Sequence, residues 1–250
     1  MITIKNKLAI QKMETAGAFL SDIFLQLPDV LRPGISTREV DAWIEGQLAH
    51  ANMVSKTKGY HGYKHASCIS VNDEVVHGVP SEKKILSEGD LVKVDICASW
   101  NGYCADAART FYVGQAPDAI KHFVATAQQA LDAGIAQMIP GNRLSDISAA
   151  IQHVVESNGY GVVRDFAGHG IGKQMHEDPE IVNYGLPGRG PVLRPGMAFA
   201  IEPMITMGNF KVYITHDGWT VRTVDKSLAA HIEDTVIITE GMPNVVTRKK

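Results

Sequence analysis

Two carboxylates, Asp95 and Asp106, lie in apolar, strand-like surroundings in the segment 91–111, LVKVDICASWNGYCADAARTF. Between them, the Asn101-Gly102 pair predicts a β-hairpin with a two-residue loop, because Asn-Gly between alternating apolar runs favours that turn. In this register the two aspartates are diagonal neighbours on one face, about 7 Å apart or less at Cβ. Like charges so placed repel, and a cation between them would stabilise both. The alternative is an exposed hairpin with two solvated aspartates.

A similarity between the two halves of the chain supplies two further carboxylates. The segment 33–53 aligns without a gap to 140–160 at an offset of 107, and both copies begin with Pro-Gly followed by a helix start. The same offset places Asp95 on Glu202, and an offset of 127 places Asp106 on Glu233. Four carboxylates are therefore expected to meet in one cluster.

His169 is the candidate nitrogen donor, in the stretch 166–179, FAGHGIGKQMHEDP. We expect the glycines on either side of it to let the backbone come close to whatever the imidazole binds. The same stretch resembles a phosphate-binding loop, but Gly168 and Gly172 enclose only three residues and Gln174 follows the lysine. It therefore matches neither the Walker nor the dinucleotide pattern, which argues against nucleotide binding.

Four carboxylates and one imidazole form an oxygen-rich ligand set that suits divalent manganese, iron, cobalt or zinc. Four negative charges would balance two divalent cations. Two such cations can share a water and lower its pKa towards roughly 7, which makes hydroxide available at neutral pH. The expected chemistry is hydrolysis of a polarised carbonyl or phosphoryl group.

The elements that position these residues are predicted to form an α+β fold of two pseudo-symmetric halves, about 1–116 and 117–250, in a single domain over 1–250. A second hairpin is indicated by Asp217-Gly218 within 210–223. If its ladder continued unbroken, Glu202 would pair with Glu233, since both pairs of residue numbers sum to 435. Interruptions at 207–209 and 224–229 are expected.

Composition narrows the class of protein further. The chain has 250 residues, 45% hydrophobic and 20% charged, with a net charge of −3. This charge does not indicate binding to nucleic acid or to an anionic membrane. The N-terminus has no apolar signal core, and no apolar run is long enough for a membrane span. The three cysteines, Cys68, Cys97 and Cys104, predict a reducing, cytoplasmic location and, without a CxxC pair, no thiolate zinc site.

The motifs VDICASWNGYCADAARTF, GHGIG, AIEPM and HIEDT together resemble the type I methionine aminopeptidases, within the M24-like "pita-bread" metallopeptidases. Spacings of 11, 63, 33 and 31 residues make the match specific, and it covers nearly the whole chain. The resemblance implies a curved antiparallel sheet under helices and two divalent metals. It implies five metal ligands: Asp95, Asp106, His169, Glu202 and Glu233. Asp106 and Glu233 would bridge the metals, and Glu202 would also act as general base.

The resemblance further implies that His77 and His176 are catalytic and contact the substrate amide and carbonyl. A small apolar pocket for an unbranched methionine side chain would be formed by Tyr60, Tyr63, Cys68, Met175, Trp219 and the two histidines. Met175 and Val76 depart from the family pattern, where an aromatic residue and a cysteine are common. The first departure bears on selectivity.

The implied activity is removal of the initiator methionine from nascent polypeptides whose second residue is small. The expected protein is a cytoplasmic monomer that binds neither nucleic acid nor membrane directly, with the ribosome a candidate partner. Two alternatives stay open at this point. One is another pita-bread peptidase, such as a proline-directed one, which usually carries a large N-terminal domain. The other is a non-catalytic binding relative, whose mark would be loss of metal ligands.

Overall fold

The computed structural model describes residues 1–249, and within them the chain forms four α-helices, a short 3-10 helix at Tyr60–Gly62 and fourteen β-strands. The α-helices are α1 (Lys7–Val30), α2 (Thr37–His50), α3 (Asp118–Ala136) and α4 (Leu144–Ser157). The strands are β1 (Val54–Ser55), β2 (Cys68–Val71), β3 (Leu91–Trp100), β4 (Tyr103–Tyr112), β5 (Gly161–Val162), β6 (Ala167–Gly170), β7 (Glu177–Val182), β8 (Ala198–Ile201), β9 (Met204–Thr206), β10 (Val212–Ile214), β11 (Val221–Thr223), β12 (Ala229–His231), β13 (Glu233–Ile237) and β14 (Asn244–Val245).

Nine of these strands form one antiparallel sheet. Its order is β1-β3-β4-β13-β8-β6-β7, with β2 also paired to β3 and β14 to β13. Strand β13, from the end of the chain, therefore lies between β4 of the first half and β8 of the second. The central position of β13 joins the two halves into one continuous sheet.

The helices cover one face of this sheet and leave the other face to the polar cluster. Helices α1 and α2 pack on the apolar positions of β3 and β4, which alternate with the positions of the aspartates. Helices α3 and α4 pack in the same way on β8 and β13, around Phe199, Ile201 and Val236. The α+β class with helices over an antiparallel sheet is thus confirmed. None of the helices within residues 1–249 is long and apolar enough to cross a membrane.

The predicted first hairpin has the expected register. Strands β3 and β4 pair from Trp100 opposite Tyr103 down to Leu91 opposite Tyr112, which places Cys97 opposite Asp106. Both loop residues have positive φ, 47° at Asn101 and 82° at Gly102, as the tight turn between twisted strands requires. The local turn signal was therefore sufficient to fix the relative position of the two aspartates.

The second hairpin keeps the predicted register, although its loop is longer than two residues. Strands β10 and β11 pair with numbers that sum to 435, and the loop runs over six residues, 215–220. The same sum holds for β9 with β12 and for β8 with β13, which lie in two other sheets. The breaks at 207–211 and 224–228 therefore remove equal numbers of residues from each side and preserve the register. The expected interruption differs in that Ala229 is already in β12.

The aligned segments of the two halves fold alike at their helices. Helices α2 and α4 have 14 residues each and begin at Thr37 and Leu144, which are separated by the offset of 107. Both carry an acidic residue at the third helical position, Glu39 and Asp146, which accepts a hydrogen bond from the backbone of the preceding cap residue. The same local start signal therefore produces the same element twice.

Two helical glycines provide a matched test of the packing between α1 and the C-terminal strand. A Cβ at Gly17 would lie 2.2 Å from the carbonyl oxygen of Val246, whereas a Cβ at Gly46 would meet no atom within 4 Å. We expect Gly17→Ala to lower the free energy of unfolding by about 1–3 kcal/mol, because the helix must move away from the strand. Gly46→Ala should raise it by up to about 1 kcal/mol through helix propensity. Chemical denaturation of both variants measures the difference, and equal effects would contradict the proposed contact.

Candidate metal centre and its cleft

Five neighbouring strands of the main sheet each contribute one residue of the predicted ligand set. Along the order β3-β4-β13-β8-β6 these residues are Asp95, Asp106, Glu233, Glu202 and His169, with Glu202 one residue beyond the end of β8. The registers align them in two adjacent rows on one face. Asp95 and Glu233 are both opposite Ala108. In the next row, Asp106 is opposite Cys97, and His169 is opposite Ala200.

The side chains of the two rows converge closely. His169 Nε2 lies 3.9 Å from Asp106 Oδ2 and 3.6 Å from Glu202 Oε1. One ligand atom each from Asp106, His169 and Glu233 lies within 4.8 Å of the others. Glu233 belongs to a second such group with Glu202 and His231. The carboxylate of Glu233 is therefore shared between two adjoining positions that a cation could occupy.

The tautomer of His169 determines what its ring can bind. Its Nδ1 lies 3.0 Å from the carbonyl oxygen of Gly170, which can only accept, so Nδ1 carries the proton. The lone pair of Nε2 consequently points towards the carboxylates of Asp106 and Glu202. A lone pair facing carboxylate oxygens is stabilised by a cation between them, and a backbone carbonyl orienting the other ring nitrogen is usual for metal-binding histidine.

Burial and mutual repulsion disfavour ionisation of the four carboxyl groups unless cations compensate the negative charge. Burial, and then the charge of Glu202, raises the pKa of Asp106 to about 7. Burial raises the pKa of Glu202 to about 8. For Asp95 and Glu233 the pKa also lies well above its usual value, because of burial and then the neighbouring charge of Asp106.

The residues fit a divalent metal on a further observation. Oδ1 of Asp106 and Oε1 of Glu233 are buried and have no hydrogen-bond partner among the described residues. Buried carboxylate oxygens without partners are rare in folded proteins because they lose their hydration without compensation. Oxygen donors from four carboxylates with one imidazole complete a coordination environment typical of hard to borderline divalent ions.

The structure brings every predicted site residue into one cavity. It is lined by the five ligand candidates, by the two histidines predicted as catalytic and by the five pocket candidates: Asp95, Asp106, His169, Glu202, Glu233, His77, His176, Tyr60, Tyr63, Cys68, Met175 and Trp219. Thr57 and Cys97 also line it. The cavity therefore has an acidic side on the sheet and an aromatic, sulfur-containing side made by loops.

Buried polar contacts hold the loop that carries the two tyrosines. The carboxylate of Asp41 on α2 accepts hydrogen bonds from the backbone N–H groups of Ala66 and Ser67, both at 3.0 Å, and is 2.6 Å from Arg38 Nη1. Farther along, the hydroxyl of Tyr63 lies 3.2 Å from the carbonyl oxygen of Gly78. Its ring meets Trp219 edge to face with centroids 5.0 Å apart. These contacts fix the aromatic wall relative to the sheet.

Each of the two predicted catalytic histidines is oriented by its surroundings. His176 Nδ1 lies 2.9 Å from the hydroxyl of Tyr60, and its ring meets that of His169 at right angles, 4.4 Å between centroids. His77 adopts a left-handed backbone with φ of 57°, which is costly for a residue other than glycine. The following Gly78 permits this turn, since a Cβ there would lie 2.3 Å from the carbonyl oxygen of Ile69. Burial lowers the pKa of His77 to about 4, so its imidazole is neutral.

The glycines around His169 serve a different contact from the one expected. A Cβ at Gly168 would lie 2.4 Å from the carbonyl oxygen of Ala200, and one at Gly170 would lie 2.1 Å from that of Asp178. Both glycines thus allow β6 to approach the backbones of its neighbours β8 and β7, with a register shift after His169. The expected close approach of this backbone to a group bound by His169 stays a prediction.

Sequence reasoning missed His231, which lies directly behind the cluster. It is buried, and its Nε2 is 3.5 Å from Glu202 Oε2. The available signal was its position two residues before Glu233 in an extended segment, which places both side chains on the same face. Cys97 was also missed as a lining residue, although the hairpin register set by Asn101-Gly102 places it opposite Asp106.

Comparison with protein-family models gives a match to Metallopeptidase family M24 over residues 11–240. Two similar relatives are the methionine aminopeptidase of Clostridium acetobutylicum, 45% identical with 99% of each chain covered, and methionine aminopeptidase 1 of Bacillus subtilis, 41% identical with 99% of this chain and 100% of the relative covered. The resemblance deduced from the motifs is thereby confirmed.

Solved structures give the same result for the fold. A methionine aminopeptidase from Thermotoga maritima superimposes with a TM-score of 0.97 at 43% identity, covering 100% of both chains. A prolidase from Pyrococcus furiosus has a TM-score of 0.78 at 26% identity, covering 99% of this chain and 66% of that one. The predicted pita-bread fold is confirmed, and it is common to both kinds of peptidase.

The raised carboxyl pKa values predict how stability depends on pH without metal. The folded state holds protons that the unfolded chain has released above pH 4 to 5, so the free energy of unfolding should fall as pH rises through the folded pKa values of about 7 and 8. Between pH 5.5 and 8.5 we expect a loss of at least about 2 kcal/mol in chelator, measured by urea denaturation. Excess manganese should restore most of it at the upper end.

A matched pair of variants tests the origin of that slope. Asp106→Asn removes one of the mutually repelling carboxylates and should flatten the pH dependence, while Asp165→Asn, at an exposed position, should leave it unchanged. A slope that is the same in all three metal-free proteins would show that the cluster does not cause it.

Proposed function

Because this chain belongs to metallopeptidase family M24, we propose that it removes N-terminal methionine from polypeptides by metal-dependent hydrolysis. The observation that carries the proposal is the single cavity in which the carboxylate and imidazole cluster adjoins a wall of tyrosine, tryptophan, methionine and cysteine side chains. Aromatic rings and sulfur atoms suit an unbranched thioether side chain. If the methionine side chain of a peptide contacts this wall, the amide bond that follows it lies over the carboxylate and imidazole cluster.

We assign the metal ligands to Asp95, Asp106, His169, Glu202 and Glu233, holding two divalent cations. Asp106 and Glu233 lie on the neighbouring strands β4 and β13, and both carry an unpartnered buried oxygen, which supports a bridging role. Cations bound there would supply Lewis acidity and lower the pKa of a water molecule towards about 7. Manganese, iron, cobalt and zinc all suit the donor set.

The chain's own residues supply the remaining steps. Glu202 is placed to accept the proton of the attacking water, since one of its oxygens faces the cluster beside His169. His77 and His176 are neutral donors directed at the cleft, where they would hold the substrate amide and carbonyl and stabilise developing negative charge. Tyr60 orients His176 by its contact with Nδ1, which leaves Nε2 for the substrate.

The proposal extends to the setting of the reaction. The cluster draws on strands from both halves of the chain, which supports one catalytic domain over 1–250 with halves near 1–116 and 117–250. Nascent polypeptides whose second residue is small are the proposed substrates, met in the cytoplasm by a monomer, with the ribosome as candidate partner. The three cysteines are free and buried, as suits a reducing compartment.

A panel of peptides tests the activity. Protein stripped of metal and reloaded with manganese or cobalt should release methionine from Met-Ala-Ser, release little from Met-Lys-Ser, and leave an Xaa-Pro peptide intact. Glu202→Ala should lower kcat at least about 100-fold, because both a ligand and the general base are lost. Glu240→Ala, an exposed carboxylate, serves as the matched control and should keep full activity. Cleavage confined to the Xaa-Pro peptide, or none with any metal, would refute the proposal.

Replacing one bridging candidate tests the ligand assignment separately from catalysis. Asp106→Asn keeps the side chain's shape but removes its charge, so we expect metal binding and activity to be lost while the far-ultraviolet circular dichroism stays that of the parent protein. Metal content per chain after dialysis, measured by elemental analysis, gives the stoichiometry. Two metals retained at parent affinity in Asp106→Asn would contradict the assignment.

A further inference from the structure

The imidazole of His231 is a buried polar group without a satisfied hydrogen bond. Its exposed fraction is 1%, and neither Nδ1 nor Nε2 has a hydrogen-bond partner among the described residues. A neutral imidazole always has one N–H donor and one acceptor nitrogen. Leaving the donor unpaired in the interior costs on the order of 1–3 kcal/mol. Such a group in a folded protein therefore indicates a function.

The backbone around His231 fixes the direction of the ring. His231 ends β12 and pairs with Met204 of β9. Its N–H donates to the hydroxyl of Thr110 at 3.1 Å, and that hydroxyl donates back to the carbonyl oxygen of His231 at 2.8 Å. Glu202 lies two residues before Met204, just outside β9, so its side chain comes close to that of His231 at the end of the β9–β12 ladder.

Glu202 is the group that the ring faces. Its Oε2 lies 3.5 Å from His231 Nε2, and its Oε1 lies 3.6 Å from His169 Nε2. The two oxygens of one carboxylate are thus divided between two imidazoles on opposite sides. His169 presents a lone pair there, because its proton is on Nδ1. The Nε2 of His169 has no proton to donate to Oε1, so a cation between them stabilises that contact. The Nε2 of His231 can carry a proton and donate it to Oε2.

We propose that His231 is a positioning residue for Glu202: its Nε2 carries the ring proton and directs it at Oε2, 3.5 Å away, where a hydrogen bond to the carboxylate can close. The bond would hold the carboxylate plane so that Oε1 stays directed at the cluster. This inference rests on the proposed function of Glu202 as ligand and base. Hydrogen bonds to metal-binding carboxylates set their orientation and commonly change metal affinity or activity 10- to 100-fold when removed.

Replacing His231 by glutamine and by methionine isolates the donor. The two side chains have nearly the same length and volume, but only glutamine carries an N–H group that can reach Oε2. We expect His231→Met to weaken manganese binding or lower kcat roughly 10- to 100-fold, with KM changed much less, and His231→Gln to recover most of that loss. His153→Met, at an exposed site on α4, is the control and should change neither quantity.

Two measurements other than turnover accompany the kinetics. Calorimetric titration of metal-free protein with manganese gives affinity and stoichiometry, and the visible absorption of the cobalt form reports the ligand geometry directly. His231→Met should alter the cobalt spectrum, and His231→Gln should resemble the parent protein. Near-ultraviolet circular dichroism of both variants without metal checks that the interior is folded; if His231→Met does not fold, His231→Gln against His231→Asn, whose amide is too short to reach, replaces that pair.

The outcomes separate this inference from the proposed function. Parent-like affinity, spectrum and kcat in folded His231→Met would overturn the role of His231, as would equal impairment of the glutamine and methionine variants. The parent protein could bind metal without releasing methionine, while the cobalt spectrum of His231→Met still differs from that of the parent protein and that of His231→Gln does not. In that case the proposed function fails and the positioning role stands.

Discussion

Four carboxylates that face one another across a sheet, two buried and two half-buried, are the constraint on which the rest of this protein depends. No arrangement of the apolar core makes that cluster favourable by itself, because burial and mutual repulsion both oppose ionisation. Either protons or cations must compensate the charge. The unprotonated Nε2 of His169, directed at two of the carboxylates, adds the nitrogen donor that completes a ligand set for divalent cations.

The sheet converts this electrostatic requirement into geometry. Ligand candidates on five adjacent strands can converge only if the strands keep register across both halves of the chain, and a slip of one residue in any pair would turn a carboxylate to the helical face. The helices on the opposite face hold that register through the apolar residues that alternate with the ligands. Thr235 contributes locally, since its hydroxyl accepts from the N–H of Asp106 and donates to the carbonyl oxygen of the same residue, both at 2.8 Å.

Loops complete the cleft, and polar contacts to aspartate carboxylates help to hold two of them. The carboxylate of Asp41 holds the chain at Ala66 and Ser67. Asp217 closes the turn before Trp219 by accepting from two backbone N–H groups at 2.8 Å. Asp41 thus ties the first loop to α2, whereas Asp217 closes the second loop on itself.

The sequence by itself determined whatever depends on short-range signals. The Asn101-Gly102 turn set the relation of Asp95 to Asp106, and the index sum of 435 carried the register from one turn to Glu202 and Glu233 through two interruptions. The catalytic histidines and the pocket residues were predicted from the family resemblance, which rests on the motifs and their spacing. Tertiary structure alone decided that β13 also pairs with β4, that the glycines beside His169 face neighbouring strands, and that His231 lies against Glu202. Of these relations, only the pairing of β4 with β13 spans more than a hundred residues. The others depend on which strand packs alongside, or on side-chain direction beside the break at 202–203, and neither periodicity nor turn chemistry encodes these.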